Sequence, residues 1–491
     1  MTAADPTEPP PSPDQQGAVS LVVLAAGGGT RMKSALPKPL HPVAGLPMVS
    51  HVLRAGLAAH PASVTIVVSP QTSSIVDALD LDVDLQTVVQ DSPRGTGDAA
   101  RRALACAGDA RWMAVLFADH PLLTTEAVER LITGARASRA FVTFLTCWLP
   151  DAASYGRIER DDQGRPVRIV ERKDDDPAKR VGRTEINSGM AVLDLEWARG
   201  ALASLAPSPV TGEIYLTDLM ALAVQHGPLT NGAWPVATVD GDPDIAVGIN
   251  DREQLAAADA IARDRIRRAH MRQGVTIVAP ETVLIDDGVT IGQDTTIEPF
   301  TIIRRGSSVG RRCVVGPQTV LERARLGDDV IVKSSTLTDT SVAAGTDVGP
   351  YAHLRGNTVI GADVHIGNFA EINRSVIEER VKVGHVSYLG DAHVGAGANI
   401  GAGAITCNFD GEAKHRTEIG RAAFIGSDSM LVAPVTIGDG GRTGAGSVVT
   451  KDVAAGATVV GVPARAMTLS ARRVRRTDEQ SESAEREDNA S

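Results

Sequence analysis

The sequence predicts an α/β fold in two parts. A Rossmann-like domain comes first, and a left-handed parallel β-helix of hexapeptide repeats follows a linker helix. Three observations carry this. Apolar runs of strand length alternate with helical patterns over residues 19–250; residues 251–273 contain neither Gly nor Pro; and from residue 274 onward aliphatic residues return at intervals of six. A chain of 491 residues is also too long for a single core.

Residues 1–18 are polar and proline-rich, with no apolar run of the kind a signal peptide needs, so a disordered tail is expected. Over 19–250, runs such as Val22-Val23-Leu24, Thr65-Ile66-Val67-Val68 and Met113-Ala114-Val115-Leu116-Phe117 read as strands of a mainly parallel sheet. Sites in such sheets lie at the carboxyl ends of the strands. The Ala-, Leu- and Arg-rich stretch 251–273 predicts one helix, stopped by Gly274.

Over 274–469 the period of six fits neither a helix nor a flat two-faced strand. Val394, Ile400, Ile419, Ile425, Leu431, Ile437 and Thr443 keep the register, as do Ile291, Val309, Val315, Ile360 and Ile366 earlier. The glycine or small residue after each inward position fits a corner where a Cβ would crowd the backbone. Three hexapeptides per triangular coil allow roughly ten coils. Residues 470–491 are Arg-, Ser- and Glu-rich with no apolar face, a second expected disordered tail.

Net charge is −11, which argues against nucleic-acid binding, since no basic stripe is available to release counterions. Apolar stretches are short, so no membrane insertion is expected. The four cysteines, 106, 147, 313 and 407, show no paired spacing. That fits a reducing compartment and gives no zinc site.

Strand Leu21–Leu24 runs into Ala25-Ala26-Gly27-Gly28-Gly29-Thr30-Arg31-Met32, with Ser34, Pro37 and Lys38 beyond. Glycines after a strand let backbone N–H groups approach phosphate oxygens, and Arg31 and Lys38 can add fixed positive charge. No Gly-Lys-Ser/Thr closes the loop, so it is not a Walker loop. Downstream stand Gln90 with Arg94-Gly95-Thr96-Gly97, then Phe117-Ala118-Asp119-His120 after a strand, and Gly248-Ile249-Asn250. A carboxylate such as Asp119 is a hard oxygen ligand suited to Mg²⁺.

This set resembles the sugar-1-phosphate nucleotidyltransferases. The resemblance implies that Leu24, Ala25, Ala26, Gly27, Lys38, Gln90, Gly95, Thr96, Phe117, Ala118 and Asp119 bind the nucleotide, UTP. It makes Asp119 and Asn250 the Mg²⁺ ligands and Arg31 and Lys38 the catalytic cations. Tyr155-Gly156-Arg157-Ile158, Val170-Glu171-Arg172-Lys173-Asp174 and Glu185-Ile186-Asn187-Ser188-Gly189 match sugar-binding segments, so Gly156, Glu171 and Asn187 are implied to contact the amino-sugar, and the resemblance counts Asn250 among the substrate-binding residues of this domain as well. Tyr215-Leu216-Thr217-Asp218 is read as structural.

Four strings in the repeats extend the resemblance: Tyr351-Ala352-His353-Leu354-Arg355, Gly367-Asn368-Phe369-Ala370-Glu371, Gly384-His385-Val386-Ser387-Tyr388 and Thr406-Cys407-Asn408-Phe409-Asp410-Gly411. In this order behind the first domain, they resemble the bifunctional N-acetylglucosamine-1-phosphate uridylyltransferase/glucosamine-1-phosphate acetyltransferase family over about residues 19–465. That implies His385 as the base that takes the amine's proton, a role suited to histidine near neutral pH. It also implies Arg355, Asn373, Tyr388 and Asn399 on glucosamine 1-phosphate, and Ala402, Asn408, Phe409, Ser427 and Ala445 on acetyl-CoA.

N-Acetylglucosamine 1-phosphate and UTP would then give UDP-N-acetylglucosamine for peptidoglycan and other envelope polymers. A homotrimer in a bacterial cytoplasm is implied by analogy. The chain departs from the pattern at Gly28, at Asp98 where a histidine is usual, and at Ala118. It departs again at Asn373, which replaces a lysine beside Arg374, at Phe409, and in Gly461-Val462-Pro463, which lacks an arginine. The competing readings are a uridylyltransferase whose β-helix serves only trimerisation, and a non-catalytic scaffold. The second predicts loss of Asp119, Asn250 and His385, and all three are present.

Overall fold

A computed structural model describes residues 17–79, 83–152, 155–171, 175–176, 178, 182–209, 211–246 and 248–467. The two expected tails, apart from Gly17 and Ala18, and Arg172, Lys173 and Asp174 of the sugar-binding string lie outside the described residues. The chain divides into two compact units, one up to Arg265 and one from Ile266.

Among the described residues, the first unit is built on a nine-stranded sheet. Its strands are β1 (Val19–Leu24), β2 (Ser63–Val68), β3 (Leu85–Val89), β4 (Trp112–Phe117), β5 (Val142–Leu149), β6 (Arg157–Arg160), β7 (Pro166–Val170), β8 (Thr184–Asp194) and β9 (Val236–Gly241). The main order is β9-β5-β8-β4-β1-β2-β3, with β6 and β7 as a side branch on β8. β1 is parallel to β2 and β4, whereas β8 runs antiparallel to β4 and β5.

Alternation along β1 sorts its side chains into two cores. Leu21 and Val23 pack with Val49, Val52 and Leu53 of α1 (Met48–Leu57). Val22 and Leu24 pack with Ala99 and Ala100 of α2 (Thr96–Ala103). Both faces are therefore covered, and only the strand ends stay open to ligands.

The second unit is built by stacking. One face of the β-helix is a twelve-stranded ladder, and the other two faces share a seventeen-stranded one. Inward residues pile on their counterparts: Val348 on Val332, Ile366 on Val348, Val383 on Ile366 and Ile400 on Val383. Ile372 and Leu389 do the same on the second face, and Ile377 and Val394 on the third. All are buried in one continuous core.

The glycines expected at corners sit where successive coils touch. A Cβ on Gly401 would stand 2.6 Å from Ser427 N, and one on Gly426 2.7 Å from Ala445 N. The coils are not all the same length. Ile400 and Ile425 are stacked neighbours although widely separated in sequence, because residues 408–416 loop out of the coil between them. The helix Arg252–Arg272 carries the division between the units, and Gly274 follows it at φ 92°.

Candidate active sites

Two turns define the site of the first unit. β1 and β4 lie side by side in parallel, so the segments after Leu24 and Phe117 emerge together. Ala25 N donates to Val67 O and Ala118 N to Leu24 O, which holds both turns against the sheet. Between them opens a cleft of about 430 Å³. It gathers Leu24, Ala25, Ala26, Gly27, Arg31, Lys38, Gln90, Gly95, Thr96, Phe117, Ala118 and Asp119 from five separate stretches of sequence. Pro39, Pro93, Ala99 and Glu213 line it too. None of these four was marked in the sequence, because each reaches the cleft only through the fold.

Charge is concentrated at one end of the cleft. Lys38 Nζ lies 2.5 Å from Asp119 Oδ2 and 3.3 Å from Asn250 Oδ1. Arg31 donates to the same Asn250 oxygen at 2.8 Å. Asn250 is brought there by backbone: Ile249 N donates to Asp119 O, and Gly248 packs on the His120 ring so closely that a Cβ would stand 3.0 Å from it. His120 Nδ1 is 2.9 Å from Asp119 Oδ1. Burial works against ionisation of Asp119. His120 and Lys38 outweigh it and hold the carboxyl well below the usual carboxylate range. Two oxygens, one anionic, thus already share one cationic nitrogen, the donor chemistry a hard divalent ion requires.

The remaining sugar-segment residues form an adjoining group. Asn187 N donates to Gly156 O, a Cβ on Gly156 would stand 3.4 Å from Glu171 Oε1, and Thr217 Oγ1 donates to that Glu171 oxygen. Asn187 opens a register shift in β8 that runs to Ala191. Within that shift Gly189, at φ 91°, lies against the Phe117 ring of the cleft. A bulge of this kind re-aims side chains beside a site, and strand patterning gave no sign of it. Leu216 N donates to Thr96 Oγ1, which ties the Tyr215–Asp218 string to the cleft wall.

In the β-helix, the candidate residues sort by edge. His385, Ala402, Ser427 and Ala445 occupy successive rungs of one corner. Gly403 N donates to His385 O, Asp428 N to Ala402 O and Gly446 N to Ser427 O. Asn368 is the rung below, and its Oδ1 lies 2.5 Å from His385 Nδ1. The next corner carries Arg355, Asn373 and Asn408. The first two are in register with Gly390, and Asn408 follows the strand Ile405–Cys407. Tyr388 lies on the face between these edges, and Asn399 on the face leading into the first, stacked on Lys382 and Phe424.

At the second edge the cations are already engaged. Arg355 donates to Glu371 Oε1, and Arg374 forks onto Asp391 at 2.7 and 2.8 Å. Asn408 Nδ2 donates to Asp391 Oδ2. The Arg374 fork, with Asn408 behind it, keeps Asp391 below the ordinary carboxylate range. Asn373 is buried, and its Oδ1 makes no hydrogen bond.

A nucleotide-sized cleft at parallel strand ends, joined in one chain to a hexapeptide β-helix with a histidine on one edge, defines a nucleotidyltransferase fused to an acyltransferase. The comparisons agree. Residues 21–150 match the MobA-like NTP transferase domain, and 288–323 the bacterial transferase hexapeptide model of six repeats. The Bifunctional protein GlmU of Pelobacter propionicus is 42% identical over 444 residues, covering 90% of this chain and 95% of that protein. Those of Mycolicibacterium gilvum and Enterococcus faecalis are 41% and 42% identical, covering 90% and 85% of this chain and 89% of each relative. The chain belongs to the bifunctional GlmU family. It is an enzyme with both a uridylyltransferase and an acetyltransferase activity. The reading of a β-helix that only trimerises is not favoured. No helix among the described residues is long and apolar enough to cross a membrane.

Proposed function

We propose that the first unit joins UTP to N-acetylglucosamine 1-phosphate, releasing pyrophosphate, and that the β-helix makes that sugar from glucosamine 1-phosphate and acetyl-CoA. The observation that carries the first half is the meeting of Arg31, Lys38, Asp119 and Asn250 at one end of the cleft. A phosphate oxygen of the sugar attacks the α-phosphorus of UTP in line, and the bond to the β-phosphate breaks. Arg31 and Lys38 balance the charge that moves onto pyrophosphate. Positioning and electrostatics supply the catalysis, so no covalent residue is needed. Asp119 and Asn250 would hold Mg²⁺, which when bound neutralises phosphate charge. Glu171, Asn187 and the Gly156 backbone hold the amino-sugar.

In the β-helix, the amine of glucosamine 1-phosphate attacks the thioester carbonyl. His385 takes the amine's proton, and coenzyme A leaves. Asn368 Oδ1 accepts from Nδ1, which leaves Nε2 with the lone pair that serves as base. Ala402, Ser427 and Ala445 form the wall along which acetyl-CoA lies.

Arg355, Tyr388 and Asn399 orient the sugar phosphate. Asn373 cannot supply the charge of the lysine it replaces, and Arg374 can do so only by leaving Asp391.

The acetyl-CoA residues split between two edges: Asn408 and Phe409 stand on the second. Apolar side chains lie exposed on the first edge, with Tyr351, Phe369 and Val386 at 58%, 56% and 60% exposure. Both features support a homotrimer with sites between neighbouring chains. The product would serve cell-envelope polymers in a bacterial cytoplasm.

Two assays test the assignment. Thiol release from acetyl-CoA with glucosamine 1-phosphate, without UTP, reads the β-helix. Pyrophosphate release from UTP with N-acetylglucosamine 1-phosphate reads the first unit. Asp119→Ala is expected to abolish the second and spare the first, and His385→Ala the reverse. A fall of both in either variant overturns the two-site scheme.

A further inference from the structure

Asp98 stands in the first turn of α2, where the family pattern has histidine, and its side chain is 1% exposed. Its contacts explain the difference. Oδ2 accepts from Gln90 Nε2 at 2.8 Å and from Arg102 Nε at 3.1 Å, while Oδ1 accepts from Arg101. Gln90 Nε2 has a second acceptor, Gly95 O, at 3.3 Å. A carboxylate and a backbone carbonyl only accept, so both hydrogens of the Gln90 amide are committed away from the cleft. Gln90 nevertheless lines the cleft, and the polar atom it has left to offer there is Oε1.

We infer that Asp98 is a positioning residue for base recognition: by fixing the Gln90 amide it presents Oε1 as a lone acceptor, and so selects a pyrimidine that carries a proton on N3. Uracil has that N3–H. Cytosine has a lone pair there, which would face the Gln90 oxygen unpaired. A site built around one hydrogen bond rejects a ligand that leaves its polar group unmatched. Arg101 and Arg102 keep Asp98 ionised. Burial opposes ionisation, but the Gln90 and arginine contacts bring the carboxyl below its ordinary value. An aspartate that stays charged cannot turn donor and let the amide flip. The inference rests on the reading of this cleft as the UTP site.

The test compares kcat/KM for UTP and CTP by pyrophosphate release, at fixed N-acetylglucosamine 1-phosphate, in the full chain and in Asp98→Asn and Gln90→Ala. An asparagine can donate as well as accept, so Gln90 can adopt either orientation. In Asp98→Asn the preference for UTP is expected to fall about tenfold, mostly through a higher KM for UTP, with the melting temperature near that of the parent. If Asp98→Asn keeps the parent's preference while Gln90→Ala loses it, Gln90 reads the base without help from Asp98 and the inference fails. If Gln90→Ala keeps the preference too, base recognition lies elsewhere. The inference then falls, while pyrophosphate release by the parent still upholds the uridylyltransferase. Should Asp98→Asn fail to fold, Asp98→Ser serves instead: a hydroxyl both donates and accepts and no longer commits the Gln90 amide to one orientation, so the preference for UTP is expected to fall, and its retention overturns the inference.

Discussion

Asn368 Oδ1 lies 2.5 Å from His385 Nδ1, and among the described residues no other hydrogen bond to that imidazole fixes its tautomer. The two residues are one rung apart, so the contact follows from the coil repeat. Asn368→Leu removes the acceptor. Acetyl transfer is expected to fall about five- to tenfold, the worth of one hydrogen bond, while pyrophosphate release is unchanged. Asn368→Asp keeps an acceptor and is expected to retain most of the rate. Equal losses in the two variants would mean that Asn368 acts through packing alone. His385 stands out as a candidate in its string, but Asn368 does not, because its contact depends on which residue stacks beneath the histidine. Asp98 shows the same limit: the sequence shows a departure there, and only the packing of α2 against Gln90 shows what its carboxylate holds.

The repeated element of the β-helix makes a separate demand on its glycines. A Cβ on Gly367 would overlap Gly384 O on the coil above, immediately before His385. Gly446 has open space around it and φ 69°. Substitution to alanine therefore has two different costs. Gly367→Ala must push coils apart and is expected to destabilise the β-helix by about 3 kcal/mol or more. Gly446→Ala meets only backbone strain, about 1 kcal/mol. Calorimetry of the two variants checks the order, and a larger loss for Gly446→Ala would contradict it. The hexapeptide period made these faces legible because inward stacking demands an aliphatic residue on nearly every rung. It also marked the interruption between Ile400 and Ile419. It did not tell which corner the loop leaves from, since coil length varies. In the α/β unit, strand runs placed the glycine turn and Asp119 at sheet ends. The shift in β8 beside Asn187 stayed hidden, because it depends on pairing with β5.

For the whole molecule, the two edges set a test of assembly. His385 lies on the first edge and the loop around Phe409 leaves from the second. The strand Tyr388–Gly390 separates them, about 10 Å at 3.3 Å per residue. A base must come within about 3 Å of the proton it takes. If the loop of one chain covers the His385 edge of its neighbour in a cyclic trimer, defects in the two parts can complement each other. One variant carries His385→Ala. The other has residues 409–414 replaced by two glycines. Alone, each is expected to lose most acetyl transfer. Co-assembled in equal amounts, they place an intact edge opposite an intact loop at one interface in four. The mixture should therefore recover about a quarter of the parent rate. Pyrophosphate release, which depends on neither part, is the internal standard. A mixture no more active than its components would mean that each loop serves the edge of its own chain, and the site between neighbours would have to be abandoned.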